Sequence, residues 1–548
     1  MMKRNFSIIA FLFLAVFAGF NTVSATNSLS DGQGIDYYRS GFPAVAKPLL
    51  ISSIATDSSK LAESCYYLGS LYFAENNVDS AAYYFVKGNA ANPFNSLNTV
   101  GLNMIKMKSN LADAEVNIAN LLKLKQNKKN IDVYIAIANA YLSNGILDKA
   151  VMYQEKAKDI KSKYAPVYVL LGDIEVAKKN AGEACRNYEQ AIYFDNKCKE
   201  AYIKYARAYK SVNSSLAIEK LNALKAAEPT FLLADRELAD TYFSINNFAK
   251  AAESYEVYLK SGNSSVIDLT KYAFILFLNS QFDKSLDVTK IGLAKEPLNP
   301  VFNRLLMYNN VDLKRATEAL SAADVFFNKS LKPEFTYLDY RYYGQALRDN
   351  KQIVAAIPQF EKALQIDSSK TDLWKDISDM YSEKNMYTKA LDAYNSYMKA
   401  LAPDKVTGDV LMTLGKLYYG LSNDSLQSVA AKKGFCIKAD SVFALVAAKE
   451  PTGYRGNFWR ARANIGLDPE TTQGLAKPYY EQTATLVISK ADAKFHPVLI
   501  ECYRYLAFYY FQKKEYNEAQ STCNKILAID ANNSVAKTLL DGIKKMKR

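Results

Sequence analysis

Small and aromatic residues stand side by side in a recurring pattern along this chain. In YYLGSLYFAENNVDSAAYYF (residues 66 to 85), Tyr and Phe flank Gly69, Ala74, Ala81 and Ala82 on either side of the polar break ENN. Two apolar segments separated by a short polar break are typical of two helices joined by a turn. The segment therefore predicts a helical hairpin.

The pattern returns at a constant period. A step of 34 residues separates Ala150 from Ala184, Ala217 from Ala251, and Ala356 from Ala390. The residues that align with Ala81 are Ala150, Ala184, Ala217, Ala251, Ser285, Ala356, Ala390 and Ala519. Twelve positions earlier most units have a second small residue, such as Gly69, Ala138, Gly172, Ala239, Ala273, Gly344 and Ala507. A fixed period of this length predicts stacked units rather than one compact core.

This pattern resembles the tetratricopeptide repeat, a helix–turn–helix unit of 34 residues. The clearest examples are LWKDISDMYSEKNMYTKALDAYNSYMKALAP (373 to 403) and YGQALRDNKQIVAAIPQFEKALQID (343 to 367). The resemblance covers nearly the whole chain after its N-terminal segment and implies an all-α fold, an α-solenoid of stacked units that form a superhelix. FWRARANIGLDPETTQGLAKPYYEQ (458 to 482) further resembles secreted tetratricopeptide proteins of Bacteroidota.

Irregular units divide the chain. We expect a signal peptide at 1–25, an N-terminal array at 26–298, a degenerate repeat or joint at 299–336, and a C-terminal array at 337–548. In the second array, the segments near 421–437 and 466–475 are longer than the turn inside a repeat, and we expect them to be insertions between helices.

The N-terminal segment predicts export. Lys3 and Arg4 precede an apolar run that is too short to span a bilayer, and Val23 and Ala25 place small residues at a signal-peptidase site. We expect cleavage after Ala25. No cysteine occurs before Cys65, which argues against a lipoprotein, and no later apolar run is long enough for insertion into a membrane. The predicted location is the periplasm, with association with the outer membrane as one option.

The charge changes the list of partners. The formal charge of +13 includes Lys3 and Arg4, so the chain without its leader has a charge of +11. A basic surplus attracts anions of any kind. Export argues against nucleic acid as a partner and favours an anionic envelope surface or an acidic protein.

The sequence lacks the motifs of catalysis. Its single histidine, His496, precedes a proline at a predicted helix start, and we interpret it as structural. Neither a Cys-x-x-Cys pair, a G-x-S-x-G elbow, a phosphate loop nor a dinucleotide fingerprint occurs. We therefore expect no enzyme activity, no cofactor and no metal. A cell-wall enzyme remains as a third hypothesis, but it would need a separate domain, and repeats occupy the chain.

The six cysteines permit one disulfide. Cys502 and Cys523 fall on the two helices of one predicted hairpin and could lie side by side, whereas Cys185 and Cys198 are too far apart along one helix. For the other cysteines the expected role is that of small buried apolar residues.

In the tetratricopeptide family, the first helix of each unit lines a concave groove, and one subset places Lys and Asn there to bind a carboxylate. No unit of this chain has that Lys–Asn combination. The resemblance instead implies an apolar groove that becomes rich in Arg, suited to an amphipathic or acidic peptide. The alternative is that these residues only pack or stay solvated. The groove residues are Tyr66, Phe73, Ile135, Asn139, Leu142, Val169, Val176, Arg207, Lys210, Arg236, Arg341, Arg348 and Arg504.

Two functional hypotheses follow. The first is an exported scaffold that holds a complex of the cell envelope together through protein–protein contacts. The second is a periplasmic, chaperone-like receptor that binds extended or acidic peptides of exported proteins. The predicted insertions favour the scaffold, and the apolar start of the groove favours the receptor.

Overall fold

The computed structural model describes residues 32–260, 262, 265–490 and 492–546. The predicted signal peptide (1–25) and its cleavage after Ala25 lie outside the described residues. The described residues contain no strand. They are 77% helical, and their 29 α-helices are arranged in stacked pairs. The predicted all-α class and its solenoid of helix pairs are therefore confirmed.

The packing of the chain separates it into two compact units. Unit 1 comprises Met1–Leu313 and Asn328–Leu331, and unit 2 comprises Lys314–Phe327 and Lys332–Arg548. The division falls within the segment 299–336. In each unit the odd-numbered helices up to α27 are the first helices of the repeats (helix A), and the even-numbered ones up to α28 are the second (helix B).

The described helices of unit 1 are α1 (Gln33–Arg39), α2 (Pro43–Thr56), α3 (Leu61–Ala74), α4 (Val78–Ala91), α5 (Leu97–Ser109), α6 (Leu111–Lys123), α7 (Ile131–Ser143), α8 (Leu147–Ile160), α9 (Ala165–Ala177), α10 (Ala181–Phe194), α11 (Lys199–Tyr209), α12 (Ser214–Ala227), α13 (Leu233–Ser244), α14 (Phe248–Leu259), α15 (Val266–Leu278), α16 (Phe282–Lys295) and α17 (Pro300–Asp312). Helix A of one repeat packs on helix A of the next from α1 to α13, so these helices line one face of the unit.

The described helices of unit 2 are α18 (Ala316–Asn328), α19 (Tyr337–Asp349), α20 (Ile353–Ile366), α21 (Asp372–Glu383), α22 (Tyr387–Ala400), α23 (Gly408–Asn423), α24 (Val429–Lys449), α25 (Arg455–Ile465), α26 (Lys477–Ile488), α27 (His496–Gln512), α28 (Tyr516–Ile529) and α29 (Ser534–Met546). The last residue of α18 belongs to unit 1. None of the helices in the described residues of either unit is long and apolar enough to cross a membrane.

The recurrent small residues lie where helix A and helix B approach most closely. A Cβ atom at Gly69 would lie 2.5 Å from the ring of Phe85, and one at Gly172 would overlap the ring of Tyr188. The alanines and the serine that define the period are all fully buried, namely Ala81, Ala150, Ala184, Ala217, Ala251, Ser285, Ala356, Ala390 and Ala519. Small residues thus let the helices close on an aromatic ring, which explains the pairing of the two residue types.

The turn inside each repeat is set by local chemistry. Asn76 and Lys179 adopt left-handed backbone angles (φ 59° and 61°) just after helix A. The side chains of Asn77 and Asn180 then accept hydrogen bonds from backbone N–H groups in the first turn of helix B. These caps satisfy amides that a helix start leaves without partners, so they fix where helix B begins.

The two predicted insertions differ in structure. At 421–437 the extra residues lie in the helices and not in a long turn, because α23 continues to Asn423 and α24 already begins at Val429. The extra residues lengthen α24 to 21 residues, compared with 14 in α22. The physical reason is that VAAKK has strong helix formers and that Ser428 caps the new start by accepting from the Ala431 N–H.

The second segment, 466–475, is a loop between α25 and α26. The carboxylate of Asp468 accepts hydrogen bonds from the N–H groups of Thr472 (2.9 Å), Gln473 (3.0 Å) and Gly474 (2.7 Å). Burial alone would raise the pKa of Asp468. The backbone donors outweigh burial, so the pKa is lowered below its ordinary value. The loop is therefore ordered around one ionised carboxylate.

Candidate binding cavity

The N-terminal hairpin, which comprises α1, α2 and the loop between them, folds back onto α11. The Lys199 Nζ lies 2.7 Å from the Asp36 Oδ2, and the Arg207 Nη1 donates to the carbonyl oxygens of Ser40 (2.7 Å) and Gly41 (3.1 Å). These partners are more than 160 residues apart in sequence. The hairpin therefore forms a wall across the concave face of unit 1.

Phe42 anchors this wall. Its ring is 5% exposed and lies under two guanidinium groups, with the Cζ atoms of Arg207 and Arg236 at 4.2 and 4.8 Å from its centroid. The ring of Tyr37 stacks on Phe231 at 6.2 Å. The loop of the hairpin thus occupies the concave surface in front of α11 and α13.

Arg207 and Arg236, predicted as groove residues, are engaged within the chain. The Arg207 Nε donates to the Glu237 Oε1 at 3.0 Å, and the Arg236 Nε donates to the Asp268 Oδ1 at 2.7 Å. Both carboxylates are buried. These two arginines hold the hairpin and the core, and neither belongs to the lining of the cavity described below.

A cavity of about 700 Å³ lies beside this wall. Its lining comes from α1 and from helix A of five consecutive repeats, α3, α5, α7, α9 and α11. Five of the predicted groove residues line it, and these are Tyr66, Phe73, Ile135, Asn139 and Val169. Leu142 instead packs against the core formed by α3 to α9, and Val176 is 49% exposed and outside the cavity lining.

Tyrosines form much of one side of the cavity. The ring of Tyr67 lies 5.3 Å from that of Tyr38 and 5.1 Å from that of Tyr66, and all three residues line the space. Burial raises the pKa of Tyr67 to about 12. The Tyr164 hydroxyl, also in the lining, donates to the Asp132 Oδ1 at 3.1 Å. This side of the cavity is therefore aromatic, and its tyrosine hydroxyls are uncharged at neutral pH.

Three cations line the cavity, and each has a partner there. The Lys204 Nζ lies 2.6 Å from the Asp173 Oδ2, and the Arg39 Nε donates to the Tyr67 hydroxyl at 3.0 Å. The Lys108 Nζ lies 4.4 Å from the centroid of Phe73.

Three further carboxylates line the same space. They belong to Glu63, Asp132 and Glu200, which lie in the first turns of α3, α7 and α11. The cation nearest to Glu200 is Lys204, at 4.0 Å. Burial raises the pKa of Glu200 despite the opposing effect of Lys204.

Sequence analysis missed these acids, although a signal was present. In repeats that begin at 62, 131 and 199, each acid occupies the second position of helix A, which faces the groove in the resembled family. Arg39 could not be found in this way, because the hairpin reaches the cavity only through long-range packing.

The other predicted cations lie elsewhere. Lys210 is half-buried at the end of α11, and Arg504 is exposed on α27. In unit 2, Arg341 lies 3.9 Å from Asp372, and Arg348 lies 2.7 Å from Glu383 beside a smaller cavity of about 350 Å³. Burial raises the pKa of Asp376 in unit 2, against the opposing charges of Arg341 and Arg348.

The cysteines are buried and free, and the optional disulfide between Cys502 and Cys523 is not formed. Burial raises the pKa of Cys502 to about 12 and also raises that of Cys523. Because thiol oxidation proceeds through the thiolate, both thiols are poorly reactive. Within the described residues, no group of three His, Cys, Asp or Glu residues is arranged to hold a metal ion.

Comparison with known proteins yields similarity to one kind of repeat. The tetratricopeptide repeat model matches residues 131–164 and 165–198. A TPR repeat-containing protein of Methanocaldococcus jannaschii is 26% identical over 347 residues, which cover 61% of this chain and 53% of that protein. The match thus spans about half the length of that relative.

Two solved structures are also similar. The C-terminal part of a TPR repeat-containing protein from Cytophaga hutchinsonii, a member of Bacteroidota, is 29% identical, with a TM-score of 0.41. That match covers 50% of this chain and 99% of the other. A tetratricopeptide repeat protein from Parabacteroides merdae is 17% identical over 46% of this chain and 98% of its own, with a TM-score of 0.31.

Proposed function

Because this chain is a tetratricopeptide repeat protein, a class that mediates protein–protein interactions, we propose that it is an exported scaffold of the cell envelope. In this proposal, an extended segment of one partner protein enters the unit-1 cavity. The partner is thereby held by a surface that only stacked repeats provide.

The observation that supports this function is the cavity itself. About 700 Å³ is room for several residues of an extended chain, and the lining combines apolar side chains with polar ones. Phe73 and Val169 are buried apolar residues of this lining, while Asn139 offers an amide. Such a lining suits a peptide, whose backbone needs hydrogen bonds and whose side chains gain from apolar contact.

Export rests on the sequence of the N-terminal segment. Lys3, Arg4 and the apolar run that follows resemble a signal peptide. Fractionation of the native cells tests it, with N-terminal sequencing of the purified protein. We expect the mature chain to begin at Thr26 in the periplasmic or outer-membrane fraction. An intact N-terminus in the cytoplasm would remove the envelope from the proposal.

Site-specific photo-cross-linking tests the binding function. A benzoylphenylalanine placed at Asn139, in the cavity, should cross-link to a partner protein in living cells. The matched control is the same group at Tyr193, which is 80% exposed on helix B of another repeat. Cross-links from Tyr193 alone would contradict binding in the cavity.

A chaperone-like receptor is the second candidate, and one observation favours it. Tyr66, Phe73 and Ile135, three residues of the predicted apolar groove, all line the cavity. Mass spectrometry of the Asn139 cross-links separates the two candidates. One stoichiometric partner supports the scaffold, whereas many exported proteins in small amounts support the receptor.

A further inference from the structure

The ionisable groups of the unit-1 cavity are unevenly distributed. Glu63, Asp132 and Glu200 begin three helices that lie along the cavity, so their carboxylates occupy the same end of the helix A row. Lys108 lies toward the other end of its helix, next to the ring of Phe73. One end of the cavity is therefore acidic, in a chain whose formal charge is +13.

The nearby cations neutralise this end only in part. Lys204 is bound to Asp173 at 2.6 Å and lies farther, at 4.0 Å, from Glu200. Arg39 is the other cation there; it is hydrogen-bonded to the neutral Tyr67 hydroxyl, and its charge acts on both Glu63 and Glu200. Glu63 and Asp132 have no ion pair among the described residues. Lys204 and Arg39 thus offset part of the charge of four carboxylates of the lining, which are these three and Asp173.

The tyrosine rings at this end of the cavity also favour a positively charged ligand. The Arg39 Cζ lies 5.2 Å from the centroid of the Tyr67 ring, a distance at which the ring face attracts a cation. Tyr38, Tyr66 and Tyr164 add further rings to this end of the cavity. The chain's own Arg39 therefore shows how a guanidinium group is accommodated there.

The burial of Glu200 strengthens the preference of the cavity for a positively charged ligand. Glu200 has only 15% of its side chain exposed, so its ionised form has lost much of its hydration. A ligand cation would restore the lost stabilisation, whereas a ligand carboxylate would be dehydrated and repelled. An acidic peptide, which the arginines of the sequence had suggested, fits this cavity poorly because Arg207 and Arg236 are engaged with Glu237 and Asp268.

We propose that the unit-1 cavity selects a Lys or Arg side chain of an extended polypeptide, at the end formed by Glu63, Asp132 and Glu200. This proposal rests on the proposed function, since it names the chemistry of the segment that the cavity takes.

Peptide pools with one fixed central residue test the proposal. Each pool contains acetylated and amidated nonapeptides whose other positions are random mixtures of uncharged residues. The central residue is Arg, its neutral analogue citrulline, or Glu, and binding to the purified mature chain is measured by calorimetry. We expect the Arg pool to bind roughly tenfold more tightly than the citrulline pool, and the Glu pool to bind least.

Variants assign the preference to the cavity. Glu200→Gln and Glu63→Gln should each reduce the ratio between the Arg and citrulline pools, while leaving the affinity for the citrulline pool almost unchanged. The matched control is Glu253→Gln, an exposed residue of α14 that lies outside the cavity, and it should keep the full ratio. Circular dichroism establishes that each variant is folded.

The outcomes separate the two proposals. If no pool binds to the wild-type chain, the cavity does not hold a peptide, and the proposed function fails together with this inference. If the pools bind with equal affinity, or if the Glu pool binds best, the function stands and the preference for a cation is wrong. A ratio that survives in both Gln variants would also overturn the inference.

Discussion

Two parts of the concave face of unit 1 use the same residue types in opposite ways. In front of α11 and α13, Glu237 is held by Arg207, and the N-terminal hairpin covers both. In front of α3 to α11, Glu200 faces the cavity and lies 4.0 Å from Lys204, whose nearer partner is Asp173. The comparison shows that a residue at a groove position of a repeat is not thereby free to bind a partner. What matters is whether another part of the chain already occupies that position.

Phe42→Ala should have the largest effect, because it removes the anchor of the covered part. Truncation of a buried Phe costs about 3 kcal/mol or more, and two guanidinium groups would also lose their ring contact. We expect hydrogen exchange across residues 33–56 to speed up strongly. The control is Phe94→Ala, since Phe94 is 81% exposed and should change stability by less than about 0.5 kcal/mol. Unchanged protection in Phe42→Ala would mean that the hairpin is held by other contacts.

Glu237→Gln should have the next largest effect, because it leaves Arg207 without its charged partner. Loss of one member of a buried pair costs about 3 to 5 kcal/mol, and the partial exposure of Arg207 reduces our expectation to about 2 kcal/mol. Denaturant unfolding measures it. Glu183→Gln is the control, because the partner of Glu183, Arg186, is well exposed. Equal effects of the two variants would contradict the difference between covered and exposed pairs.

Asn139→Trp should separate binding from folding, because the larger side chain fills space in the cavity. We expect binding of the Arg pool to fall at least about tenfold, roughly 1.4 kcal/mol, with little change in stability. Val176→Trp is the control, since the sequence predicted both residues for the groove but only Asn139 lines the cavity. Equal loss of binding in both variants would place the site elsewhere on the concave face.

Glu200→Gln should have the smallest effect on stability, and its sign should depend on pH. Burial raises the pKa of Glu200 in the folded chain, so folding favours its protonated form, and stability is lost as the pH rises through the folded pKa. The variant should therefore be slightly more stable than the wild type at pH 7, opposite to Glu237→Gln. The gain should disappear near pH 4, below the unfolded pKa. Glu253→Gln should show no difference at either pH, and a destabilised Glu200→Gln at pH 7 would mean that Lys204 outweighs the burial of Glu200.

The repeat was predictable because its signal is local. Gly172 has to be small, since Tyr188 of the same hairpin lies against it, and both residues stand within one 34-residue period. The same logic found Tyr66, Ile135 and Asn139 as cavity residues, because neighbouring repeats place equivalent positions on one face. It did not extend to 421–437, where the extra residues that were expected as an insertion between helices lengthen α24.

The sequence by itself determined the period, the helix pairs and their close packing, because each of these depends on residues within one repeat or the next. Tertiary structure alone decided that the N-terminal hairpin meets α11 across more than 160 residues. That contact depends on the small rotation between successive repeats. The rotation accumulates over five repeats, and the residues of no single repeat determine it. It engages Arg207, leaves Glu200 facing the cavity, and so sets the charge that the cavity presents.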